Sequence, residues 1–168
     1  MKKIIFLFLI FSGVIFAESE ETFPKWEYSI HHNSYGVTFH DFTIHGIVSS
    51  QLSISITTDI DSGYSSVTIF NEQIKSRNKY SLLLTSDTDS YSYDIFKKDI
   101  ENGAIRVENT DGRQRGNNLT KILVSANIVG LYDDKMENVL DIFILKDLKE
   151  TIKQKLGNSD WYKYKINE

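Results

Sequence analysis

The sequence predicts a mainly β fold: an antiparallel sandwich or barrel-like sheet with one C-terminal α-helix, at the border of the α+β class. Three observations carry that prediction. Short runs of alternating apolar and polar residues recur between turn-forming residues, as in Trp26-Glu27-Tyr28-Ser29-Ile30 and Leu52-Ser53-Ile54-Ser55-Ile56. Aromatic and β-branched residues, which suit half-buried strands, fill those runs. Helical spacing with matching end signals stands out at one place, near the C-terminus.

The elements follow in order. Met1-Lys2-Lys3 is a short cationic start, Ile4 to Phe16 is apolar apart from Ser12 and Gly13, and Ala17 is a small residue before an acidic run. This predicts a signal peptide over residues 1–17. Its apolar stretch is shorter than the roughly 20 residues a membrane span needs. Residues 18–25 read as a flexible acidic leader that includes Pro24, the single proline. Residues 26–168 then form one β-rich domain, because no Gly- or Pro-rich linker divides them.

A first hairpin joins Lys25–Ile30 to Tyr35–His40. A turn centred on Asn33-Ser34 pairs Ile30 with Val37 and Tyr28 with Phe39, placing the apolar residues on one face. Phe42 and Ile44 follow Phe39 out of phase, so a bulge is expected at His40-Asp41. A second hairpin turns at Ser62-Gly63 and sets Ile56 against Ile69 and Thr58 against Val67. Tyr80–Thr85, Tyr91–Ile95 and Ala104–Asn109 read as strands. Ile95–Glu101 reads as one helical turn before Gly103. Leu119–Leu131 is apolar on both alternating sets and reads as one long strand.

Val139–Leu145 is nearly all apolar, as a strand covered on both faces is, with Asp141 its exception. Asp147 and Glu150 have capping-box spacing. Leu148, Ile152 and Leu156 keep helical spacing, and Gly157 closes a helix at about 147–156. Trp161–Ile166 alternates aromatics with lysines, the pattern of a protected edge strand.

Composition narrows the function classes. The chain of 168 residues contains no cysteine, which removes disulfide scaffolds, thiol nucleophiles and Cys-based metal sites. Its 23 acidic residues exceed its 19 basic ones, whereas a nucleic-acid binder needs a cationic footprint. No resident cofactor is expected, since neither a phosphate loop nor a dinucleotide glycine pattern occurs.

Four candidate sites remain. All four histidines fall between His31 and His45. With the bulge, His40 and His45 converge as a two-histidine metal site. Asp87 and Asp89 form an acidic turn suited to weak calcium binding. Arg113 and Arg115 flank a polar loop whose guanidinium groups suit an anion or a partner. Tyr162 and Tyr164 share a strand face and suit a contact surface. No Gly-x-Ser-x-Gly elbow exposes a serine nucleophile.

The sequence reading is therefore an exported, non-catalytic binding or interaction domain of the bacterial cell envelope, periplasmic or extracellular. Its partner is an unknown protein or envelope component. The alternatives are a metal- or calcium-binding protein and, behind it, a small secreted hydrolase.

Overall fold

The computed structural model describes residues 24–59, 63–110, 112–133 and 138–157. Among them the polypeptide forms two open antiparallel sheets and two α-helices around one apolar core. The sandwich-like, α+β character expected from the sequence is present, and the sheets do not close into a barrel.

The first sheet has the order β1 (Glu27–His32), β2 (Thr38–His45), β3 (Gln51–Thr57), β4 (Tyr64–Phe70), β8 (Ala104–Val107) and β7 (Ile100–Glu101). The second has the order β10 (Val139–Ile144), β9 (Ile128–Asp133), β5 (Tyr80–Thr85) and β6 (Ser90–Asp94). A 3-10 turn at Lys97–Asp99 replaces the helical turn expected before Gly103. Helix α1 spans Arg115–Ser125 and α2 spans Leu148–Leu156.

One face of the six-stranded sheet supplies Phe42, Ile44, Leu52, Ile54, Ile56, Val67 and Ile69 to the core. These are every second residue of their strands, as period-two alternation requires. The four-stranded sheet supplies Leu82, Leu84, Val129, Leu131 and Phe143, and the helices add Leu119, Leu123, Leu148 and Ile152.

The first hairpin keeps its strands but not its register. Tyr28 pairs with Phe42 and Ile30 with His40, a shift of three residues from the two-residue turn. The cause is a longer loop. The Asn33 carboxamide oxygen accepts the N–H groups of Tyr35 at 2.9 Å and Val37 at 3.0 Å, and Gly36 takes φ +77°. An odd shift exchanges the two faces of the incoming strand. Phe39 therefore points away from the core, β2 runs unbroken against β1 and β3, and no bulge occurs at His40-Asp41. In the second hairpin Ile54 pairs with Val67 and Leu52 with Ile69. This even shift leaves the apolar face as expected.

The segment Leu119–Leu131 is corrected more fundamentally. It is the end of α1, a break at Ala126, and β9. Gly116, Leu119, Thr120 and Leu123 lie at helical spacing and form the buried side of α1. The Asn109 side chain accepts the Asn117 N–H at 3.1 Å, satisfying a donor of the first turn. The C-terminal helix lies where expected. Asp147, however, sits at φ 63° and makes no side-chain cap. The expected strand Trp161–Ile166, like residues 1–23, lies outside the described residues.

Asp141 joins the two sheets. Its carboxylate is fully buried. It accepts N–H groups from Val48 at 2.9 Å, Ser49 at 2.9 Å, Ser50 at 2.6 Å and its neighbour Ile142 at 2.8 Å. Gly46 completes the fit, since a Cβ there would lie 2.5 Å from the carboxyl carbon.

Candidate functional site

The face of the six-stranded sheet turned away from the core is an open concavity of about 530 Å³. Its depth follows from side-chain size. The floor rows on β3 and β4 carry Ser53, Ser55, Ser66 and Thr68, small hydroxyl residues that alternate with the buried isoleucines and valine. Larger side chains rise around them.

At one end Phe39 and Tyr64 meet edge to face, their ring centroids 6.3 Å apart. Thr57 pairs with Tyr64 on this face and is fully buried. His31 stacks on Phe39 at 5.1 Å and 8°. At the other end Phe70 stands 42% exposed. Tyr64 and Phe70 are six residues apart on β4, which places the two aromatic ends roughly 20 Å apart at strand rise.

The long sides carry partnered polar and charged groups. On β1 and β2, His31 Nδ1 lies 2.6 Å from Asp41 Oδ2. The other Asp41 oxygen accepts the Ser55 hydroxyl. On β8 and just beyond it, Arg106 lies 3.8 Å from Glu108. Burial, and then the charge of Glu108, raise the Tyr64 phenol above its ordinary pKa, so it stays a neutral hydroxyl. Across the hairpin tip, the Thr38 N–H donates to Asp59 at 2.7 Å and holds that carboxyl below the usual aspartate range.

The His31, Asp41 and Ser55 chain does not have the connectivity of a hydrolase. In a serine triad the imidazole stands between serine and carboxylate so that it can take the hydroxyl proton. Here the carboxylate stands between the other two, and Ser55 spends its proton on Asp41. The arrangement positions polar groups; it does not activate a nucleophile.

The residues singled out from sequence lie elsewhere. His40 hydrogen-bonds the Tyr28 hydroxyl at 2.8 Å, while His45 lies 3.9 Å from Glu27. Five residues apart on an unbroken strand, these histidines point to opposite faces. Among the described residues no group of three or more metal-ligating side chains converges. Asp87 accepts from Asn127 at 2.5 Å, tying its turn to the segment before β9, and Asp89 accepts from its neighbour Thr88 at 2.8 Å.

Arg113 is exposed, in a bridge to Thr110. Arg115 is turned inward, forms a two-pronged pair with buried Asp99, and lies 4.3 Å from the Phe96 ring centroid. Its hydrogen bonds to Asp99 raise its already high pKa. Tyr162 and Tyr164 lie outside the described residues.

No family model, curated protein or solved structure matches this chain. Function must therefore be argued from the site itself.

The concave face escaped sequence reasoning because one register error hid it. With Phe39 placed inward, its outward partners His31 and Asp41 had no aromatic neighbour. The signal was present: Phe39 is out of phase with Phe42 and Ile44, and Gly36 marks a loop that ends later than Asn33-Ser34.

Proposed function

We propose that the chain is an exported, non-catalytic binding domain of the bacterial cell envelope, and that the outer face of the six-stranded sheet is its contact surface. The observation that carries this reading is the combination on one sheet face of a hydroxyl floor, aromatic ends and partnered charged groups. A face needed only for solubility has no reason to collect half-exposed aromatic rings around small residues. Recognition sites do, because a few fixed polar groups orient a ligand while aromatic surface supplies contact area. Export rests on the signal pattern of residues 1–17. Among the described residues no helix is long and apolar enough to cross a membrane.

The test is depletion from an envelope extract separated into polysaccharide, protein and lipid fractions. Immobilised wild-type protein is compared with a variant carrying Phe70→Ala and Arg106→Ala. Both side chains are exposed and outside the core, so the variant folds. The expected result is retention of material from one fraction by the wild type and its loss with the variant. Equal retention by both proteins contradicts the assignment of this face.

A further inference from the structure

The chemistry of the concavity narrows its ligand, given the reading of that face as a contact surface. Its floor belongs to β3 and β4, interior strands: β3 pairs with β2 and β4, while β4 pairs with β3 throughout and with β8 over Val67–Phe70, and the Ser65 N–H is taken by Asn117. A peptide added as an extra strand would find no free backbone partner there, because strand addition needs a sheet edge. Whatever binds must be read by side chains.

Those side chains are mostly hydroxyls, which both donate and accept. Ser53 accepts from Thr43 at 3.2 Å and Ser55 donates to Asp41, so two of the floor hydroxyls are oriented by partners. Charge on the lining is sparse and partnered: Arg106 sits against Glu108, and His31 hydrogen-bonds Asp41. A polyanion meets no cationic surplus there, since Glu108 matches Arg106 and Asp41 adds a carboxylate. A neutral ligand rich in hydroxyls meets planar carboxylate and guanidinium groups that can accept and donate in pairs.

The ends complete the argument. An aromatic face is the negative side of a quadrupole and attracts weakly positive C–H groups. Phe70, exposed, and Tyr64, partly buried, line opposite ends of a trough whose length, roughly 20 Å by strand rise, exceeds a single sugar ring. We infer that the outer face of the six-stranded sheet binds a neutral oligosaccharide laid along β3 and β4, with Phe70 and Tyr64 at its two ends and the serine and threonine hydroxyls beneath it.

The experiment is a titration of the ¹⁵N-labelled protein with linear neutral oligosaccharides of glucose and N-acetylglucosamine, each as a dimer and a hexamer, at millimolar concentration. The expected result is that at least one hexamer shifts the amides of Ser53, Ser55, Ser66 and Thr68 and binds more tightly than its dimer. Phe70→Ala should weaken that binding about tenfold, as removing an aromatic contact centre does, and Phe70→Trp should retain it. Absence of shifts with every sugar overturns the saccharide assignment. If a protein or lipid fraction of the envelope then shifts the same amides, the contact-surface reading survives without it. If no fraction shifts them, both fall.

Discussion

Asp141 shows how one charged side chain in an otherwise apolar strand can hold a fold together. Burial works to raise its pKa. The N–H groups of Val48, Ser49 and Ser50 outweigh that effect, and the net shift is downward. A carboxylate whose folded pKa is depressed adds stability above its unfolded value, near 4, and loses it as pH falls through the folded value. Stability should therefore be level near neutrality and fall below about pH 4. Asp141→Asn places an amide N–H group against backbone donors. It should cost about 2–3 kcal/mol and lower Tm by about 5–10 °C for a domain of this size. It should also flatten the acid limb. Thermal melts of both proteins from pH 3 to pH 7 check all three outcomes.

The Arg115–Asp99 pair makes a different prediction. Both side chains are under a tenth exposed, so removing one charge strands the other. Arg115→Ala should cost about 3–5 kcal/mol, whereas Arg115→Met combined with Asp99→Leu should recover most of that loss. Urea melts of the single and double variants decide it. If the single variant matches wild type, the pair is not structural and Arg115 returns as a candidate contact residue.

At the scale of elements, α1 depends on a glycine that periodicity alone does not explain. A Cβ on Gly116 would lie 2.0 Å from the Ser65 carbonyl oxygen. This close approach lets the Asn117 side chain accept from both the N–H and the hydroxyl of Ser65 at the start of β4. Gly116→Ala should therefore destabilise by at least about 2 kcal/mol, although alanine is the better helix former. Ser125→Ala, at the exposed end of α1, should stay within about 0.5 kcal/mol. Denaturant midpoints of the two variants give the comparison.

Legibility followed the same physics. The strands of the first two hairpins, β5, β8, β10 and α2 could be read because alternation, turn residues and end signals agreed there. Helix α1 is hidden in the sequence because Ile122 and Val124 make both alternating sets apolar, which masks the helical spacing of Leu119, Ile122, Leu123 and Ala126. The first hairpin was misregistered because Asn33 organises a loop through two backbone N–H groups, and composition does not set loop length. The candidate site depended on that register. Its residues came into view only when Phe39 moved to the outer face.

For the whole molecule, the two faces of the six-stranded sheet differ in what they carry. One buries an aliphatic layer against the second sheet and the helices. The other is built from side chains that contribute little to the core. Substitutions on it should therefore separate binding from folding: Thr68→Val and Phe70→Ala should leave Tm within about 2 °C of wild type. Any loss of ligand then reports on contact alone.

The proposed function places ligand contact on this outer face. The most direct measurement is an amide chemical-shift map of the protein titrated with the unfractionated soluble envelope extract. Perturbed amides should cluster on β2, β3, β4 and β8, around Asp41, Ser55, Thr68 and Arg106. Perturbations confined to the exposed Ile47-Val48 loop or to the four-stranded sheet, with that face silent, would contradict it.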